Sequence, residues 1–316
     1  RGSALQLPVW WCLAVAMSTL LGLRFPQFYS MVEAVIVGEY RGVSALASVG
    51  SSSSIIFMII GFCTCVWCGS SIPVTPRFEA GVHRGRRCFV ADAGWLSAIF
   101  SAVMTVIVCF LCMDILRWMD TPDDIIQGAY DYIFIIFAGI PVTYLYNILA
   151  GIIRSLGDSR TPVYFLLLSS VINIFLDLFT ILVMGMGVEG AAYATVISQA
   201  ISGVLCFLYM RSHFPILRMT REERKFNLRM AKILCGIGVP MGLQYSITAI
   251  GSVILQTAVN GLGSLYVAAI SAGNKLTLFF TCPFDALGAT MATWAGQNVG
   301  AGKIDRVKEG VKYALL

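Results

Sequence analysis

Charge is what this chain has least of. Asp, Glu, Lys and Arg together make up 12% of its 316 residues, and histidine occurs only 2 times. A soluble globular protein carries about 25% charged residues, so roughly half of the usual solubilising charge is missing. With 58% hydrophobic residues and a mean hydropathy of +0.80, too much apolar surface would face water. That excludes a soluble two-domain enzyme, a disordered chain and a disulfide-stapled secreted module, and leaves a membrane protein. Histidine-based catalysis is also excluded, because His83 and His213 fall in polar connections and no Ser/His/Asp set presents itself. Nor is there nucleotide-hydrolysis machinery. Gly300-Ala301-Gly302-Lys303 has a superficial likeness to a phosphate-binding loop, but Gln297 stands where its first glycine belongs and Ile304 replaces the Ser/Thr. Neither enzymatic activity nor an organic cofactor is expected.

The apolar runs are what the chain has in abundance. A bilayer core about 30 Å thick needs about 20 helical residues, and eight stretches qualify: 8–38, 43–73, 88–113, 125–151, 161–187, 189–210, 233–262 and 265–295. A ninth begins near Val311. The opening Arg1-Gly2-Ser3 reads as a trimmed terminus or cloning remnant. Leu5 to Leu23 is followed by no small-x-small cleavage site, so it is expected to be part of the first span. Most of the 10 cysteines lie inside these runs. Cys63, Cys65, Cys68, Cys109 and Cys112 have metal-like spacing but no histidine beside them, so they read as small packing residues.

The basic residues follow a plan. The loops after spans two, four, six and eight hold 17 of the 22 Lys and Arg, whereas the odd-numbered loops hold only Arg41 and Arg117. Asp114, Asp120, Asp123 and Asp124 make one odd loop acidic. By the positive-inside rule the N-terminus and the even loops face the cytoplasm. The net charge of +5 is therefore a signature of topology, and nucleic acid is not an expected partner. Ala45-Leu46-Ala47-Ser48-Val49-Gly50 and Ala268-Ala269-Ile270-Ser271-Ala272-Gly273 rhyme, and Ala80-Gly81 and Ala301-Gly302 follow them at nearly the same interval. A repeat of six spans puts both copies in the membrane in the same orientation, with a substrate site expected between them. The expected organisation is a first six-helix lobe at 5–210, a cytoplasmic linker at 211–232, and the start of a second lobe at 233–316.

A carboxylate inside a span is costly and marks function by default. Five acids lie in or near spans: Glu33, Asp92, Asp131, Asp177 and Asp285. Asp92 and Asp131 are expected near helix ends, within reach of headgroups. Glu33 and Asp177 are deeper. Tyr29 precedes Glu33 by four residues, and Asn173 precedes Asp177 by four, so each pair shares a helix face. Such an oxygen-bearing face suits a proton or a hard cation, and desolvation favours reversible protonation of a carboxylate. Lys275 and Asp285 are ten residues apart in span eight and do not pair directly. Arg24 lies two residues before Pro26 in span one and needs a partner or a water-filled cavity.

Several motifs together resemble one family. Gly151-Ile-Ile-Arg154-Ser-Leu-Gly157-Asp158-Ser-Arg-Thr161-Pro162, Asn173-Ile-Phe-Leu-Asp177, Gly187-Val-Glu-Gly190 through Thr195 to Gln199, Gly238-Val-Pro240 and Gly296-Gln297-Asn298-Val-Gly300-Ala-Gly302 are similar to multidrug and toxic compound extrusion (MATE) transporters of bacterial type. The resemblance implies an all-α polytopic membrane bundle of two parallel six-helix lobes, the second incomplete here. It implies export of amphipathic, cationic organic compounds in exchange for H⁺ or Na⁺, by alternating access, from a monomer in the plasma (inner) membrane surrounded by lipid. The family's first-lobe coupling site falls on Glu33, Tyr29, Tyr132, Asn173, Asp177 and Thr195, with Na⁺ expected at Glu33, Asn173, Asp177 and Thr195. Glu33 stands where members usually have Asp. Gln244 occupies a region of span seven where some members carry an acid, which puts coupling in the first lobe. Met241, Gln244, Tyr245, Phe279, Phe280 and Asp285 are the expected substrate-cleft residues, the aromatics offering cation–π surface. Family members are longer, so the later helices are expected to lie beyond this chain. A flippase for a lipid-linked saccharide and a non-transporting membrane receptor or scaffold are the alternatives. The first predicts a larger, more basic cavity, and the second needs neither a repeat nor paired carboxylates.

Overall fold

The computed structural model describes residues 8–71, 83–155, 158, 160–214, 228–278, 280–281 and 304–315, with only the helical backbone described at 8–29, 67–71, 83–90, 228–230, 312–315 and a few single positions. The described residues form helices and no strands. In chain order these are α1 (Pro8–Ser71), α2 (His83–Trp118), α3 (Ile126–Ala138), α4 (Ile140–Ser155), α5 (Arg160–Leu178), a π-helical turn (Phe179–Val183), α6 (Val188–His213), α7 (Leu228–Asn260), α8 (residues 264–278) and α9 (Ile304–Leu315). They group into two compact units: Val32–Ala272, and Arg1–Met31 with Gly273–Leu316.

α1 contains 64 residues, about 96 Å of straight helix at 1.5 Å per residue, which is three times a bilayer core. Its backbone breaks at Gly42, where φ is 85° and ψ is −179°. This region is open to glycine and strained for other residues. Nothing lies within 4 Å of a Cβ built there, so the requirement is conformational and not steric. The arms fold back on each other: a Cβ on Gly38 would lie 3.5 Å from Leu46 Cδ2, although eight residues of straight helix rise about 12 Å. The expected loop between spans one and two is thus a single-residue hinge.

The expected span 125–151 is also broken. α3 ends at Gly139, and α4 departs at 43°. Pro141 at the start of α4 has no N–H to continue the ladder, so a new helix begins there with proline in its first turn. Counting this bent pair, up to six described helices are long and apolar enough to cross a membrane: Ser30–Thr64, Ala91–Trp118, Thr161–Val183, Val188–His213, Gly238–Asn260 and the pair itself. The expected spans 8–38 and 265–295 include residues whose side chains are not described. This is a multi-pass helical membrane protein.

Within Val32–Ala272 the core has two parts. Ile55, Ile59 and Cys63 of α1 pack with Val108, Cys112 and Leu116 of α2, and with Ile133, Phe137, Tyr144 and Ile148 of α3 and α4. The cysteines among them serve as apolar packing groups. A second cluster joins Ile36, Val37 and Val49 to Tyr132, Ile181 and Val188, beside the site described below. The rhyming segments meet directly. Ala47, Val267 and Ala268 share one buried cluster, and a Cβ on Gly50 would lie 1.8 Å from Ser271 Oγ. Conversely, Ile99, Val103, Val106, Ile107 and Phe110 leave an apolar stripe of α2 exposed, Phe110 by 84%, as a lipid-facing surface does.

In the other unit, Lys275 Nζ donates to Ser30 Oγ. Exposed Lys308 and Asp305 of α9 approach to 3.6 Å, a contact of little energetic weight in water.

Candidate functional site

Four helices bring five polar side chains into an apolar interior. Glu33 comes from the first arm of α1, Tyr132 from α3, Asn173 and Asp177 from one face of α5, and Thr195 from α6. Asp177 is 0% exposed, Asn173 2% and Glu33 5%. Tyr132 Oη donates to Glu33 Oε1 at 3.0 Å. Asn173 Nδ2 donates to Asp177 Oδ2 at 3.3 Å, while its Oδ1 accepts from Thr195 N at 3.3 Å and Thr195 Oγ1 at 3.2 Å. The reverse amide orientation would set oxygen against acceptors only, so the first satisfies the group's chemistry.

Asp177 is left incompletely served. Its Oδ1 is buried with no hydrogen-bond partner among the described residues, and Glu33 acts on it as a like charge. A buried carboxylate oxygen without a partner is expensive. A proton or a small hard cation answers both problems, since it neutralises charge and takes up the free lone pairs. The donor set is oxygen throughout: two carboxylates, an amide, a threonine hydroxyl and a phenol. It suits a monovalent cation or proton better than a soft metal. Among the described residues no three His, Cys, Asp or Glu gather into a metal-binding group.

The backbone beside the site is irregular. One residue beyond Asp177, α5 gives way to the π-helical turn. There Thr180 Oγ1 bonds back to Leu176 O at 2.8 Å, and Arg41 Nη2 donates to Ile181 O at 3.1 Å. Single π-helical turns are frequent at functional sites. The sequence pattern did not reveal this turn, because its residues, Phe179-Thr-Ile-Leu-Val183, read as ordinary apolar helix.

The other expected residues have varied fates. Tyr29 lies in the helical backbone of α1, and its side chain is outside the described set, as is that of Arg24. Asp92 lies at the start of the apolar stretch Ala91–Trp118 of α2 and is buried at 0% exposure. Asp131 is accessible and accepts from Gln127 at 2.9 Å. Met241 is half-buried and Gln244 exposed. Tyr245 packs its ring 5.2 Å from that of Phe57 and fills the notch left by Gly61. Phe280 is exposed, and Phe279 and Asp285 are outside the described residues. A small apolar recess is lined by Val66, Leu96, Phe100, Tyr144 and Val239 among others; none of the five carboxylate-site residues lines it.

The chain as a whole has counterparts among known proteins. The MatE family model matches residues 19–179 and 240–316. The chain belongs to the MatE family. Among similar MatE-related proteins is the probable multidrug resistance protein YoeA of Bacillus subtilis (strain 168), 30% identical over 295 residues, or 90% of this chain and 63% of that one. The probable multidrug resistance protein YpnP of the same organism is 28% identical, covering 92% and 65% respectively. This MatE chain thus spans slightly less than two thirds of the length of these curated relatives. Its fold is also similar to a solved inward-facing multidrug resistance MATE family transporter, with a TM-score of 0.82 at 22% identity over 95% of this chain and 69% of that one. The MatE relatives and this neighbour belong to transport and drug resistance, not to enzymes.

Proposed function

We propose that the protein is a cation-coupled antiporter that exports amphipathic, cationic organic compounds in exchange for H⁺ or Na⁺ by alternating access. The supporting observation is the pair of buried carboxylates, Glu33 and Asp177, tied to Tyr132, Asn173 and Thr195, with one Asp177 oxygen lacking a partner among the described residues. An ion entering this site relieves the like-charge pair and favours the conformation that closes around it. Substrate favours the opposite conformation. Exchange follows only if the two ligands prefer different states, and by linkage each then weakens the other's binding.

In this reading residues 5–210 form the first lobe, 211–232 the cytoplasmic linker and 233–316 the start of the second lobe. The N-terminus is cytoplasmic, because the basic residues sort to the even loops, and the membrane is the plasma (inner) membrane, as the family resemblance implies. Met241, Gln244, Tyr245, Phe279, Phe280 and Asp285 are the proposed cleft residues. The protein works as a monomer among lipids.

The test is transport of a fluorescent organic cation by the full-length protein in proteoliposomes, under H⁺ and Na⁺ gradients imposed separately. Glu33→Gln and Asp177→Asn should each abolish gradient-driven accumulation. Undiminished transport in both variants would remove the coupling role from this site.

A further inference from the structure

A second polar group lies inside the first half of the chain, one helical turn from the carboxylate site. Gln199 follows Thr195 by four residues on α6, so the two share a face. Across from it on α4, Thr143 Oγ1 donates to Gln199 Oε1. One turn further along α4, Asn147 Nδ2 donates to Thr143 O at 2.8 Å. With that nitrogen engaged, the Asn147 carbonyl oxygen is the end able to serve a ligand. Thr195, Gln199, Thr143 and Asn147 are all half-buried, neither sealed into packing nor open at the surface.

Two helical steps of four residues cover about 12 Å of rise. The row therefore leads away from Asp177 and Asn173 toward the ends of α4 and α6, where Arg154 and Arg211 stand. Those are the basic, cytoplasmic ends under the positive-inside rule. The row starts just below the bend at Gly139, where Thr143 Oγ1 also reaches Gly139 O at 3.4 Å. Polar side chains in a lipid-embedded bundle line ion pathways or bridge helices. A bridge requires one bonded pair. A succession of hydroxyl and amide oxygens, stepping by one turn from a carboxylate site to a membrane face, offers more than a bridge.

We infer that Thr143, Gln199 and Asn147 form the inner leg of the coupling-ion route, along which a small hydrated cation, hydronium or Na⁺, leaves the Glu33–Asp177 site for the cytoplasm. The inference rests on the coupling role proposed above. The oxygens replace part of the ion's hydration shell as it passes.

The full-length protein carrying Thr143→Val, Gln199→Leu or Asn147→Leu tests this, with Thr143→Ser and Asp177→Asn beside it. Initial rates of fluorescent-cation transport are measured under imposed H⁺ and Na⁺ gradients, together with equilibrium binding of the same cation to the purified protein. Thr143→Val and Gln199→Leu should each slow ion-driven exchange on the order of tenfold, as the loss of one such contact in the transit barrier would. Cation binding should stay within about twofold, and Thr143→Ser should recover most of the rate because it restores the hydroxyl. Asn147→Leu leaves the α4–α6 bridge intact, so its slowing reports transit and not folding. Which gradient shows the defect identifies the ion. Wild-type rates in Gln199→Leu and Asn147→Leu, with Asp177→Asn inactive, would overturn the route and leave the coupling site standing. Wild-type rates in Asp177→Asn as well would overturn both.

Discussion

Replacing Gly50 by alanine should damage the junction between α1 and α8. The added Cβ would sit 1.8 Å from Ser271 Oγ and 2.5 Å from Ser271 Cβ. Carbon atoms prefer separations of about 3.5–4.0 Å, so the Cβ–Cβ distance is about 1 Å too short. Ser271 cannot solve this by rotating. Its hydroxyl is held to Val267 O at 2.6 Å, and every rotamer leaves Cβ in place. The helices must part instead, opening the buried contacts among Ala47, Val259, Val267, Ala268 and Ile125. Overpacking of this kind costs about 1–3 kcal/mol, and the immobile Cβ puts this case near the upper end. The assay is thermal unfolding of the purified full-length protein in detergent, where the melting temperature should fall on the order of 5–10 °C. Ser271→Gly removes the opposing Cβ, so adding it to Gly50→Ala should restore most of the loss, a coupling that a double-mutant cycle measures. A melting temperature unchanged by Gly50→Ala, or no rescue in the double variant, would refute the close crossing.

Other perturbations have equally definite outcomes. Gly42→Ala forces a side chain onto φ 85°, a strain of about 1–3 kcal/mol; folded yield and melting temperature should both drop, although the site has open space. Asn260 donates to Met119 O at 2.8 Å and accepts from Gln256 Nε2 at 2.9 Å. Asn260→Leu strands both groups in the interior, so a loss of about 1–3 kcal/mol is expected by thermal unfolding. Tyr132→Phe removes the 3.0 Å bond to Glu33 with little change in volume. The ion concentration giving half-maximal transport should shift on the order of tenfold, with the melting temperature nearly unchanged.

The sequence revealed those features whose physical signal is local. Apolar runs of bilayer length, basic residues sorted to alternate loops, and acids embedded in spans each depend on one segment and the solvent around it. That is why Glu33, Asn173 and Asp177 stood out before any fold was known. Tyr132 and Thr195 were reached only through the family resemblance: a phenol 99 residues from its carboxylate partner leaves no periodic trace. Asp92 stands at the start of the apolar stretch Ala91–Trp118, as its place in the sequence suggested, but its complete burial is set by neighbouring helices. The bend at Gly139 falls inside the expected span 125–151 because Gly139-Ile140-Pro141 lies within a continuous apolar run, and membrane helices carry such residues without always breaking. The π-helical turn, the Thr143–Gln199 contact and the direct packing of the two rhyming segments are tertiary facts, set by which helices meet.

The central claim is that one buried carboxylate pair exchanges its ion for substrate. It is tested most directly by adding a saturating organic cation to the purified full-length protein and measuring what is released, protons in weakly buffered solution or pre-bound radioactive Na⁺. The account predicts ion release on substrate binding in the wild type, and none in Asp177→Asn or Glu33→Gln, even where those variants still bind the organic cation. Substrate binding by the wild type with no release of either ion, or release that persists undiminished in both variants, would contradict it.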